Sequence, residues 1–218
     1  MGKAAMSSAP ANRRANSVES FASAAECIGP LQQGMSLFAV TRGQWSMIDA
    51  IMYVLDSIGG GARVSLWTWT VADYEVRALQ SLMWRGDLDG ATLIVDTSSD
   101  KRNGALLNLW RRTFGETSVK VCRNHAKIAR VWKGDLRFLL RGSMNLNFNP
   151  RFEQFDLTEG GSDFDLVMEI EEGLPVLPPN YTFDDVAAAT KLRRSFSDDV
   201  LAQFGKLNAL TDIVADRI

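Results

Sequence analysis

From Ser36 onward the chain alternates between two hydrophobic periods. Residues 36–40 (SLFAV) form a short β-rich apolar run. From Gln44 to Ile58 the apolar positions Trp45, Ile48, Ile51, Met52 and Leu55 recur at helical spacing. Gly59-Gly60-Gly61 ends that helix. A glycine triplet opening a helix can cradle a phosphate, but this one precedes a strand and reads as a turn. Residues 63–70 (RVSLWTWT) predict the next strand, with Trp67 and Trp69 on one face and Thr68 and Thr70 on the other. Such aromatic pairs usually pack in a core; at a strand end beside a site they would offer a surface for a base or an acyl group. Asp73–Arg85 is a second helix, closed by Gly86. ATLIVD (91–96) is the continuous apolar run of a strand covered on both faces. The polar loop Asp96–Asp100 lies where open α/β sheets often bind ligands, though capping of the next helix, Asn103–Phe114, is the simpler role. SVKVC (118–122) follows as a strand. This βαβαβ order, closed by a hairpin, predicts an α/β fold: a mixed β-sheet flanked by helices.

The flanks differ in pattern. Residues 1–15 are small, polar and proline-containing, which predicts a disordered arm. Lys3, Arg13 and Arg14 would serve there as a solvated tail or touch a nucleic-acid backbone. Residues 16–34 hold a short helix, Ser17–Cys27, capped by Ser17 and stopped by Gly29-Pro30, with its connector. The α/β domain spans 35–179. Near its end Phe164–Ile170 (FDLVMEI) reads as a further strand and GLPVLPP (173–179) as a proline-rich connector. Residues 180–218 read as two C-terminal helices, broken near Ser195–Ser197 with Thr182 and Ser197 as caps, packed on the domain or on a dimer partner.

The candidate chemistry sits between Asn124 and Glu153. This stretch holds the only histidine, His125, with Lys127 two residues on, and Ser143 and Asn145 in Gly142-Ser143-Met144-Asn145. If 124–132 and 136–145 are paired strands turning at Lys133-Gly134-Asp135, His125 and Lys127 project from one and Ser143 and Asn145 from the end of the other. An imidazole nucleophile, an ammonium, a hydroxyl and an amide together suit a phosphodiester.

H-x-K, a hairpin and then G-S-x-N resemble the signature of the phospholipase D superfamily. The family usually carries an aspartate seven residues after the histidine; here Trp132 stands there, and the nearest acid is Asp135. A lengthened hairpin would explain that shift and the longer spacing to GSxN. The resemblance implies a phospholipase D-like fold for 35–179. It also implies metal-independent phosphodiester cleavage without cofactor, through a phosphohistidine, in a site built from two motif copies. With one copy in this chain, it implies a homodimer with the active site across the two-fold interface. In that reading His125 is nucleophile or general acid, Lys127 and Asn145 hold phosphate, and Ser143 is a supporting donor. Glu153 then orients the imidazole, the alternative being an ordinary solvated acid. Short single-motif relatives are often nucleases, which makes nucleic acid the expected substrate. A non-catalytic nucleic-acid-binding or assembly module, or a lipid or small-molecule phosphodiesterase, are the alternatives.

Charge and composition refine this picture. The net charge is −2 and 46% of residues are hydrophobic, ordinary for a globular protein. Yet from Arg123 to Arg151 seven basic residues accompany one acid. Arg123, Arg130, Arg141 and Arg151 are thus candidates to track a polyanion, the alternative being solvent-facing arginines on an edge hairpin. Two cysteines and one histidine make neither a disulfide framework nor a structural zinc site. There is no apolar run of membrane-spanning length and no secretory h-region, so a reduced, cytoplasmic setting without membrane contact is expected.

Overall fold

A computed structural model of the chain describes residues 13–16, 23–147, 150–177 and 181–190. They fall within the compact unit Met6–Thr190; the other unit, Met1–Ala5 with Lys191–Ile218, lies outside them, as does the expected second C-terminal helix with its cap at Ser197. The strands are β1 (Arg13–Asn16), β2 (Ser36–Thr41), β3 (Ala62–Thr68), β4 (Leu88–Asp96), β5 (Val119–Cys122), β6 (Ile128–Lys133), β7 (Leu136–Gly142) and β8 (Glu153–Glu159). Seven of them, β2 to β8, form a mixed sheet, and the short β1 adds an edge in the order β1-β2-β8-β7-β6-β3-β4-β5. β3, β4 and β5 are mutually parallel, β1 is parallel to β2, and every pairing made by β6 or β8 is antiparallel. One rim of the sheet therefore collects the C-terminal ends of β2, β3, β4, β5 and β7 with the N-terminal ends of β6 and β8.

The helices are α1 (Ala24–Ile28), α2 (Met47–Ile58), α3 (Asp73–Arg85), α4 (Thr97–Phe114), α5 (Ser162–Gly173) and α6 (Phe183–Thr190). α2, α3 and α4 bury Ile51, Leu55, Leu79, Leu107 and Trp110 against one sheet face, which presents Val64, Leu66, Leu93, Ala129 and Leu140. Removing this apolar area from water, at about 25 cal/mol per Å², is the main drive for the layer. α5 covers the other face with Phe164 and Val167 against Leu139, Trp67, Ile128 and Trp132.

Several elements depart from the sequence reading. Phe164–Ile170 is helix, not strand. Alternation of Phe164, Leu166, Met168 and Ile170 imitates a strand, but the residues that bury are Phe164, Val167 and Glu171, spaced for a helix face. The unread strand is β8, where buried Phe155 and Leu157 alternate with polar neighbours. Residues 124–127 precede β6 rather than belonging to it, and the hairpin lies mid-sheet rather than at an edge. It turns on Gly134-Asp135 alone, with Gly134 at φ 55°, the position a type II′ turn gives to glycine. α1 is capped by Ser23, not Ser17, and Arg13–Asn16 is strand where an arm was expected. Residues 97–100 are the first turn of α4, which starts earlier than Asn103 and is capped by Asp96 through the Ser98 N–H. Among the described residues no helix is long and apolar enough to cross a membrane.

Candidate active site

The loop from β5 to β6 must cross the ends of β4 and β3, and Asn124 fastens it there. Asn124 is buried; its Nδ2 donates to Thr68 O at 3.1 Å and Ile94 O at 3.3 Å, the last carbonyls of two strands. Its Oδ1 accepts from Ala126 N at 2.8 Å, and its own N–H reaches Asp96 Oδ2 at 3.1 Å. Side-chain bonds thus replace ladder bonds, which is why the strand begins only at Ile128. Asp96 is fixed in turn. Burial alone would raise its pKa, but hydrogen bonds from Ser98 and Asn124, with the charge of Arg102, outweigh that and hold it below the usual carboxylate value.

His125 follows this anchor and is exposed on the rim. Lys127 does not share a strand face with it; the lysine folds back, with Nζ 2.9 Å from His125 O and 3.3 and 3.4 Å from the two ring nitrogens. Burial pulls the Lys127 ammonium below its ordinary pKa, with the charge of Glu153 opposing the shift. Glu153, at the start of β8, accepts from Ser143 Oγ, and Ser143 Oγ accepts from Gln154 N at 3.0 Å. His125 with Lys127, and Glu153 with Ser143, are therefore two bonded pairs side by side on the rim, the charge of Glu153 acting on Lys127. The sequence reading has Glu153 orienting the imidazole; the structure shows it accepting from Ser143, with its charge acting on Lys127.

Gly142 makes that arrangement possible. A Cβ at this position would overlap the Gln154 carbonyl, so only glycine lets β7 close on β8 and place Ser143, whose N–H donates to Gln154 O at 3.1 Å. Past it, the carbonyls of Asn145 and Leu146 receive the Met47 and Ile48 N–H groups at the start of α2. The Asn145 Oδ1 is buried and has no partner among the described residues.

No protein-family model and no curated protein matches this chain.

The four candidate arginines separate. Arg130 is not available to a polyanion: it is 5% exposed and paired with Glu171 of α5. Its place in β6 directs it to the α5 face, away from the rim. Arg141 is likewise committed, at 2.5 Å from Asp163. Arg123 and Arg151 are exposed. Trp132 also faces α5, edge-on to Phe164 with ring centroids 6.3 Å apart. It lies five residues along the chain from Lys127, about 16 Å in extended backbone.

Sequence reasoning passed over Asn124, whose signal is a buried-type asparagine next to the lone histidine. It also passed over Arg42, Arg102 and Phe152: Arg42 meets Phe152, and Arg102 meets Trp69, only at the rim. Two pockets of about 360 and 410 Å³ are lined by α2 with α3 and by α1 with α2, and neither includes His125. Among the described residues no group of three or more His, Cys, Asp and Glu side chains is placed to hold a metal.

Proposed function

We propose that this chain is a metal-independent phosphodiesterase of the phospholipase D type, cleaving nucleic acid in a site completed by a second copy of itself. The observation that carries the reading is the open rim line of His125, Lys127, Glu153 and Ser143, set at strand ends where α/β sheets bind ligands. Of the family's H-x-K and G-S-x-N letters, His125, Lys127 and Ser143 stand on that line. The Trp132 departure falls in the α5 core, remote from the line, so it leaves the reacting groups untouched.

In the proposed reaction an imidazole nitrogen of His125 attacks phosphorus and the bond to the leaving oxygen breaks. The partner subunit's His125 protonates that oxygen. It then takes a proton from water, which attacks phosphorus, breaks the P–N bond and frees the phosphomonoester. Lys127 and Asn145 from each copy hold the non-bridging oxygens, and Ser143 and Glu153 keep Lys127 in place. Exposure of His125 on an open rim, rather than in an enclosed pocket, suits a site that needs a facing copy.

The test is incubation with single- and double-stranded DNA and RNA in EDTA, alongside His125→Ala. Cleavage should persist in EDTA and fall by at least about 10³-fold in the variant, with an unchanged melting temperature. Sedimentation should give a dimer. EDTA-sensitive cleavage, full activity in His125→Ala, or an active monomer would each rule the mechanism out. Salt-sensitive binding without cleavage would make the chain a binding module instead.

A further inference from the structure

Two aromatic–arginine pairs stand on the same rim, one on each side of the reactive line. Beyond the end of β3, Trp69 is 38% exposed, with its ring centroid 6.2 Å from that of His125. The Arg102 guanidinium of α4 lies 5.0 Å from the Trp69 ring. On the other side, Phe152 precedes β8 and is 69% exposed, with the Arg42 guanidinium 5.0 Å from its ring. In the sheet order β2-β8-β7-β6-β3-β4, Phe152 and Trp69 are separated by three strand spacings, about 14 Å. Lys127 and Ser143 lie between them.

A single exposed aromatic is ordinary on a protein surface, as Tyr74 and Trp84 are. Trp69 and Phe152 instead each carry a cation, and the two bracket a phosphate-directed cluster. Alternating stacking surfaces and positive charge is the arrangement that holds single strands, because every base has a π-face and every linkage an anion. A duplex keeps its bases stacked internally and offers these rings only its backbone.

We propose that Trp69 with Arg102, and Phe152 with Arg42, are base-stacking subsites for the nucleotides on either side of the phosphodiester at His125, making the occupant a single-stranded nucleic acid. This rests on the phosphodiesterase reading for the position of the scissile phosphate. The strand crosses the ends of β8, β7, β6 and β3, bases on the two rings and the linkage over Lys127 and His125. Glu153 does not repel it outright, since Ser143 donates to that carboxylate and Lys127 lies within its field.

The experiment measures fluorescence anisotropy of labelled oligonucleotides with full-length His125→Ala protein in EDTA, so that cleavage cannot interfere. The probes are one DNA sequence as a single strand, as a duplex, and as a single strand with abasic sites. The single strand should bind best. Adding Trp69→Ala or Phe152→Ala to His125→Ala should weaken it about tenfold or more, with duplex and abasic affinities changing less than twofold. Trp69→Phe should restore most of the loss, which a merely structural defect would not allow. Equal loss on intact and abasic strands, no loss, or no binding of the single strand would overturn the subsites. Ring-dependent binding by a protein whose wild type cleaves nothing would uphold the subsites and sink the phosphodiesterase reading alone.

Discussion

β6 serves two charged clusters that the sequence does not separate. At Arg130 the strand feeds a closed one: Glu171 accepts from Arg130, from Ser65 Oγ and from Trp67 Nε1 at 2.6 Å, while Lys120 donates to its backbone carbonyl. Both charged side chains of the ion pair are about 95% out of solvent, at 6% and 5% exposure. Just ahead of the strand, Lys127 joins an open cluster with His125 and Glu153. The closed cluster has spent its donors on one carboxylate and holds α5 to the sheet. The open one keeps an imidazole exposed to solvent. Charge in a sequence becomes chemistry only where the fold leaves it partly unspent.

The sharpest way to break this contrast is to remove one carboxylate from each cluster. Glu171→Ala strands the Arg130 guanidinium and two further donors in the interior, and should cost about 3–5 kcal/mol of folding stability. Glu153→Ala acts on a half-buried residue at the rim and should cost no more than about 1 kcal/mol, while lowering turnover. Denaturant titration of both variants measures the difference. Equal losses would mean the rim cluster is as structural as the closed one.

Asn124 lies between the two regimes, being buried itself yet placing an exposed histidine. Asn124→Ala removes the caps on Thr68 O and Ile94 O, and should destabilise by about 2–3 kcal/mol. It should also reduce turnover beyond what the lost folded fraction explains, because His125 loses its tether. Activity per folded molecule equal to wild type would show that the loop holds His125 without that anchor.

Much of the scaffold was legible because its periods are unambiguous. Asp73–Arg85 has the same bounds in sequence and structure, and the apolar runs at 36 and 91 are strands. The pattern failed where two periods overlap, as in FDLVMEI, and the helix there is selected by Glu171 meeting donors from three positions on neighbouring strands. The site was legible as letters but not as geometry. Strand parity puts His125 and Lys127 on one face, whereas the structure joins them through a fold-back in the loop that Asn124 fastens. Spacing alone leaves the arginines as either one anion-tracking stripe or a solvent face, because the acids that claim Arg130 and Arg141 lie on α5, a segment whose pattern imitates a strand. Partners distant in sequence decide which charges are spent, and local spacing carries no trace of them.

The smallest expected effect is alkaline, and it sets a buried group beside an open one. Cys122 ends β5, 4% exposed, and burial, with Asp96 adding to it, pushes its thiol up to about 11 from 9.0. Between those values the unfolded chain has lost the proton and the folded chain keeps it, so stability falls as pH rises through the window. Lys127 works in the opposite sense. Its folded pKa lies below 10.5, so the unfolded chain binds more protons in that interval and stability rises with pH. Denaturation midpoints from about pH 8 to 11 should therefore decline less steeply in Cys122→Ala than in wild type, and more steeply in Lys127→Met. The same slope in all three proteins would mean that neither group is held differently in the folded and unfolded chain. A change confined to Cys122→Ala would place Lys127 fully in water, without the partial burial that lowers its pKa in the folded chain.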